Sequence, residues 1–277
     1  MQSSTSKETG VREEIASPFP KSRGFERGAV KIFGERNTGT NALSQFIAQN
    51  SESPLFPGTF SQLPNADLSV LKQKGRGETE HLIDLAFSHQ PAPFQWKHCA
   101  TNFTDEDLAQ FNNCTTLVLL RNPISWCLAL WKNPYNNLIE VPQSFDEFVN
   151  VKWKTAGRER LDSKEFSPPD LINLKMSYYK AFVSRGQKNG LLMKVLCFEN
   201  FVSSPLSVWM NIKDSLSNPK DSPVLVERST KDRSKNLQFY QEYYDEEKWK
   251  SEISENTYNV LERHTDWDLY RDLLKLH

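Results

Sequence analysis

Apolar positions along the chain change their period several times, and each change marks an element. Val30, Ile32 and Phe33 form a short run of strand formers; from Thr40 onward Leu43, Phe46 and Ile47 recur at the spacing of one helical face. Between them Gly34 to Gly39 is a glycine-bounded turn. Thr116 to Leu120 is a continuous apolar run, the pattern of a strand buried on both faces of a parallel sheet. It ends at Arg121-Asn122-Pro123, where Asn122 suits a helix cap and Pro123 the first turn of the helix ISWCLALWKN. Phe94 to His98 reads as a further strand.

The helices between these strands announce themselves by their caps. Thr104 and Ser144 each open a capping-box spacing, and Pro168-Pro169 precedes a long helix from Asp170 to about Ser184 with Leu171, Leu174, Tyr178 and Phe182 on one face. Tyr178 and Tyr179 read as core. A helix around Trp209 follows, and helices near Phe239 to Trp249, Tyr258 to His264 and Asp268 close the chain. Ser51 to Pro64, Lys72 to Glu80 and Arg158 to Glu165 read as loops. Alternating strands and helices predict an α/β domain with a central, mostly parallel sheet flanked by helices.

Composition narrows the function. With 277 residues, one large domain over residues 29–277 is expected, preceded by a loosely ordered polar tail over 1–28. The net charge is -1, so there is no global basic field and nucleic acid is not an expected partner. Cys99, Cys114, Cys127 and Cys197 are widely spaced, which reads as reduced thiols rather than a zinc or disulfide framework. The first residues lack an apolar core, and no run approaches the roughly 18 apolar residues of a membrane span. A cytoplasmic protein is therefore expected.

A strand, a glycine turn and a helix start make a ready anion site, because the first N–H groups of a helix have no intrahelical partner. The turn has the outline G-x4-G. Where a nucleotide-phosphate loop continues with Lys and a hydroxyl, this chain has Thr40 and Asn41. That disfavours nucleoside triphosphate hydrolysis and favours one 5′-phosphate held without metal. Arg121 lies at the carboxyl end of a buried strand, where open α/β sheets place ligands and where a guanidinium can hold phosphate.

In these segments the chain resembles the sulfotransferases that use 3′-phosphoadenosine 5′-phosphosulfate. Gly34-Glu35-Arg36-Asn37-Thr38-Gly39-Thr40-Asn41 is similar to their 5′-phosphosulfate loop, and LVLLRNPISWCLALWKNPY to their 3′-phosphate element. Lys97-His98 falls where members carry the catalytic histidine; KVLCFENF with Pro205 and the final DWDLYRDL resemble two later signatures. The resemblance implies a P-loop-like sulfotransferase fold and sulfuryl transfer, without metal, to an acceptor hydroxyl or amine, with a small molecule or carbohydrate as acceptor. It implies His98 as base and Arg36 and Lys97 as carriers of transition-state charge. It also implies that Arg36, Asn37, Thr38, Gly39, Thr40, Asn41 and Arg121 bind the donor.

The chain departs from the family at named positions. Asn37 stands where a Lys or Arg is usual, and Ala129 where a helix Ser joins Arg121 on the 3′-phosphate. The C-terminal G-x2-G-x-W-K loop is missing, and the basic cluster of Arg228, Lys231, Arg233 and Lys235 is the candidate replacement, with Arg233 and Lys235 as donor contacts. Trp131, Lys132, Pro134 and Tyr135 are candidates for the acceptor pocket. The alternatives are a degenerate P-loop small-molecule kinase, which would need Mg-ATP, and a catalytically inert nucleotide-binding protein of the same fold.

Overall fold

The computed structural model describes residues 28–63, 68–72, 74–135, 140–162, 164–228, 232 and 234–276. The expected tail over 1–28 lies outside them except for Gly28, as do Lys231 and Arg233. Strand β1 (Ala29–Phe33) is fully buried and leads through the glycine turn into α1 (Thr40–Asn50). Short α2 (Leu68–Lys72), α3 (Arg76–Ser88) and α4 (Asp105–Ala109) follow, then β2 (Cys114–Leu120) and α5 (Pro123–Lys132). After α6 (Phe145–Phe148), strands β3 (Trp153–Lys154) and β4 (Glu165–Phe166) make a two-residue antiparallel pair. The long α7 (Pro168–Lys188) then leads to β5 (Met193–Cys197), which runs directly into α8 (Phe198–Ser203). The chain ends with α9 (Pro205–Ile212), α10 (Leu237–Asp245), α11 (Glu255–His264) and α12 (Trp267–Leu274).

The main sheet has the order β1-β2-β5 and is parallel throughout. Register runs from Ala29 opposite Cys114 to Phe33 opposite Val118, and from Thr116 opposite Met193 to Leu120 opposite Cys197. All three strands therefore point their carboxyl ends to the same edge. That edge carries the glycine turn after Phe33, Arg121 after Leu120 and Phe198 after Cys197. Beneath it Phe33, Phe103, Phe111 and Phe182 pack ring on ring, with centroids 5.3–6.2 Å apart, in the tilted and edge-on arrangements that aromatic quadrupoles favour.

The helix caps expected from the sequence form, though the one at Ser144 lacks the reciprocal half of a capping box. Thr104 and Asp107 make a reciprocal capping box, Ser144 accepts from the Glu147 N–H, and Asn122 accepts from the N–H groups of Ile124 and Ser125. The long helix is longer than its hydrophobic stripe suggests, because Ser167 caps it and Pro168-Pro169 occupy its first turn. It buries Lys175 and Tyr179 besides Leu171 and Phe182.

Other readings are corrected. Phe94 to His98 is not a strand: Ala92–Phe94 is a 3₁₀ turn set by flanking prolines. The backbone groups beyond it go to separate segments, with the Lys97 N–H on the Gly58 carbonyl, the Lys97 carbonyl on the Gly34 N–H and the Gln95 carbonyl on the Lys31 ammonium. No ladder can form when each group has a different partner. Lys72 to Glu80 is mostly helical, since α3 begins at Arg76 and a Cβ at Gly77 would meet nothing. Arg158 to Glu165 is a charged loop only in part: Arg158 bonds Glu80 and Asp84 at 2.5 and 2.7 Å and Glu159 is fully buried, whereas Lys164 and Glu165 are exposed. Of the cysteines, Cys99, Cys114 and Cys127 are buried and all four are free. Among the described residues no helix is long and apolar enough to cross a membrane.

Candidate functional site

The site is built from the turn outward. Gly39 is the N-cap of α1 at φ 80°, and a Cβ there would lie 2.6 Å from the Phe198 ring. Only glycine satisfies both the left-handed backbone and the close approach. The Thr38 hydroxyl and N–H both bond the Glu35 carbonyl, at 2.5 and 3.2 Å, so they tighten the turn from within. The N–H groups of the first turn of α1 have no acceptor inside the helix and face the end where the macrodipole favours an anion.

Asn37 is left-handed, at φ 66°, and its amide points away from the turn. It donates to the carbonyls of Ala129 and Asn133 at 3.2 and 3.1 Å and accepts from the Asn133 amide at 2.7 Å. The last carbonyls of α5 are thereby satisfied by a side chain of the turn. Arg36 lies over the Tyr135 ring at 4.7 Å, and its carbonyl accepts from the Trp126 indole.

Arg121 reaches back across the same edge. Its Nε donates to Ser125 Oγ at 2.9 Å, Nη1 to the Asn37 carbonyl at 2.7 Å and Nη2 to the Tyr244 hydroxyl at 2.6 Å. The guanidinium also lies over the rings of Phe198 and Tyr244, at 5.1 and 5.2 Å. A guanidinium has five N–H donors, so one on each terminal nitrogen is left for a ligand. Glu199 supports this arrangement from behind by accepting from Ser125 Oγ and the Asn122 N–H.

His98 is buried, and its Nδ1 lies 2.5 Å from the Gly34 carbonyl. A carbonyl can only accept, so Nδ1 carries the proton and Nε2 holds the lone pair. Burial, and then the neighbouring Lys97 charge, push the imidazole pKa well below its ordinary value. The ring is therefore neutral at pH 7 with a basic nitrogen available. The Lys97 ammonium donates to the Asn41 side chain, and its stem packs on Gly58, where a Cβ would come within 3.0 Å of it.

These pieces meet in one cleft of about 640 Å³, within the usual range for ligand pockets. Arg36, Asn37, Gly39, Thr40, Asn41, Lys97, His98, Arg121 and Lys235 all line it. Among the described residues its cations are Arg36, Lys97, Arg121, Lys132, Arg228 and Lys235, against the single carboxylate of Glu252, which is itself paired with Lys132. A cleft so charged, on a chain of net charge -1, attracts anions.

No family model and no curated protein matches the chain. Among solved structures it is similar to a sulfotransferase domain from the curacin biosynthetic pathway, at 14% identity and a TM-score of 0.40, over 79% of this chain and 83% of that one. A likeness of that degree leaves the chemistry to be argued from the chain's own residues.

Some expected residues stand elsewhere. Thr38 is turned inward and does not line the cleft, and Arg233 lies outside the described residues. Of the proposed acceptor-pocket residues Lys132 lines the cleft, whereas Trp131 packs on Phe145 and Tyr135 donates to Glu159 from the core. Sequence reasoning missed Ser125, Tyr244 and Glu252. Ser125 was legible in principle, one helical turn after Arg121; Tyr244 and Glu252 arrive from over a hundred residues away and carry no local signal.

Proposed function

We propose that this chain transfers a sulfuryl group from 3′-phosphoadenosine 5′-phosphosulfate to an acceptor hydroxyl or amine. The observation that carries this reading is the meeting of the glycine turn, Arg121 and His98 on one cleft, with Arg121 bonded directly to the turn at the Asn37 carbonyl. An anion at the first turn of α1 and a second anion at Arg121 are the two ends of one such nucleotide.

The donor fits the residues present. The N–H groups of Gly39, Thr40 and Asn41 would hold its 5′ end, and Arg121, with its two uncommitted N–H groups, its 3′-phosphate. Lys235, Arg228 and Lys132 would add charge at the rim. When bound, the donor supplies the activated sulfuryl group. His98 Nε2 takes the proton of the acceptor nucleophile, and the neutral resting state of the ring makes that possible near pH 7. Arg36 and Lys97 flank the histidine and offset negative charge that develops during transfer. The aromatic wall of Phe198, Tyr240 and Tyr244 gives a flat apolar surface for a base.

A thermal-shift series tests the reading. Adenosine 3′,5′-bisphosphate without metal should stabilise the protein, by several degrees at a hundred-fold excess over its dissociation constant, and Mg-ATP should not. Stabilisation by Mg-ATP alone would point to a kinase, and by neither to an inert relative. Transfer of labelled sulfate to a panel of carbohydrate, phenolic and amine acceptors then identifies the second substrate.

A further inference from the structure

Behind the glycine turn lies a polar cluster that no residue of the cleft wall accounts for. Lys175, in the middle of α7, is fully buried. Its ammonium donates to Glu35 Oε2 at 2.9 Å, to Glu159 Oε2 at 2.7 Å and to the His98 carbonyl at 2.9 Å. An ammonium has three N–H groups, and here each has its own acceptor on a different segment. Glu35 and Glu159 are themselves buried; Tyr179 donates to Glu35 Oε1 at 2.8 Å and Tyr135 to Glu159 Oε2 at 3.0 Å. The Glu159 Oε1 accepts from the Ala156 N–H at 2.9 Å.

We infer that Lys175 is the positioning residue that holds the His98 imidazole against the glycine turn and so fixes which of its nitrogens is basic. This rests on the sulfuryl-transfer reading only where activity is concerned. The Nδ1 contact is made to Gly34, the residue next to Glu35. Lys175 thus grips the segment on each side of that contact, Glu35 beyond the acceptor and the His98 backbone beyond the donor. A second bond, from the Gly34 N–H to the Lys97 carbonyl at 3.0 Å, sets the distance between the two backbones but does not orient the ring. Burial tends to neutralise both partners, raising the pKa of Glu35; for Lys175 burial pulls the other way but the two carboxylates outweigh it and raise its pKa. The ammonium is accordingly charged throughout the neutral range, and its grip does not depend on small changes of pH. Arg36, stacked on Tyr135, is held by the far end of the same cluster. A single buried cation therefore ties together the turn, the base and a flanking guanidinium.

Nitrogen-15 shifts of the His98 imidazole, read in the full-length protein at pH 7.5, test this without reference to activity. The wild type should show one tautomer with the proton on Nδ1. Lys175→Met should give a mixture of tautomers and, where transfer is measurable, a fall in kcat of about 100-fold, the scale of a small misplacement of a catalytic group. Its affinity for adenosine 3′,5′-bisphosphate should stay within about three-fold, a change of well under 1 kcal/mol. Should Lys175→Met fail to fold, Glu35→Leu decides: it removes the carboxylate through which the ammonium holds the turn, leaves Lys175 paired with Glu159, and should show the same tautomer mixing with a kcat loss of about ten-fold. Tyr179→Phe removes a buried bond from Glu35 without touching His98 and should leave the single tautomer in place. The inference is overturned if a folded Lys175→Met or Glu35→Leu keeps the wild-type imidazole spectrum, or if Tyr179→Phe reproduces the mixing. If the wild type transfers no sulfate, the functional reading fails, and the imidazole spectra alone still decide the role of Lys175.

Discussion

Replacing Gly39 by alanine strikes the site at its tightest point. The backbone there is left-handed at φ 80°, a conformation that costs an L-residue roughly 1–2 kcal/mol. The new methyl would also sit 2.6 Å from Cε2 and 2.7 Å from Cδ2 of Phe198, so the ring must move. Forcing a methyl into a packed site costs about 1–3 kcal/mol. Together the two effects give a loss of about 2–5 kcal/mol. For a domain of this size each kcal/mol lowers Tm by about 2–4 °C, so Tm should fall by about 4–20 °C. The displacement would not stay local. The Phe198 ring meets Tyr244 edge-on at 5.1 Å and underlies Arg121 at 5.1 Å, and both are bonded to each other. Affinity for adenosine 3′,5′-bisphosphate should therefore drop by about ten-fold or more, equivalent to about 1.4 kcal/mol or more. Urea unfolding and calorimetric titration of Gly39→Ala, Phe198→Leu and the double variant separate the causes. The smaller ring replacement should relieve the clash but not the backbone strain, giving a favourable coupling of about 1 kcal/mol or more. Additive effects with wild-type affinity in Gly39→Ala would refute the reasoning.

Other expectations follow from the same contacts. His98→Ala should abolish transfer while leaving adenosine 3′,5′-bisphosphate binding nearly intact in a filter or calorimetric assay; loss of both together counts against a base role. Because the His98 pKa is pushed down, the ring stays neutral as pH falls to the ordinary histidine range, and kcat should hold steady from pH 8 to about 6.5 before falling. Arg121→Met should weaken binding of the 3′,5′-bisphosphate by about 10–100-fold, the value of a charge-assisted bond of about 1.5–3 kcal/mol, yet change binding of the 5′-monophosphate far less. Lys31 is fully buried between the Pro57 and Gln95 carbonyls, at 2.8 and 2.6 Å, and burial lowers its pKa to about 7. Between pH 7 and 10.5 the unfolded chain binds a proton there that the folded one does not, so this lysine makes stability rise with pH across that window. The stability difference between wild type and Lys31→Met in urea should change in that sense; a difference flat from pH 7 to 10 would show that the folded lysine is not neutralised.

What the sequence could tell was local. The buried strand before Arg121, the Asn122 cap, the glycine turn and the prolines opening α7 are all written within a few neighbouring residues, and each forms as read. The strand expected at Phe94 to His98 failed because aromatic residues there serve a bend whose backbone groups are claimed by Gly34, Gly58 and Lys31. Helix α3 was hidden by Gly75 and Gly77, which read as loop formers although one is only the cap and the other stands in open helix. Partnerships of long separation stayed invisible: Lys175 finds Glu35 across 140 positions, and Arg121 finds Tyr244 across 123. A lone lysine on a helix pattern says nothing of the two carboxylates awaiting it.

Asn37 bears on how the protein breathes. By closing the end of α5 with its own amide, it makes the turn and that helix a single mechanical body. A ligand that quiets the turn must also quiet the last winding of α5, where amide hydrogens would then exchange more slowly with solvent. The arrival of the nucleotide would thus be felt along the helix that carries Lys132 to the rim, and the second substrate would meet a rim already stilled by the first.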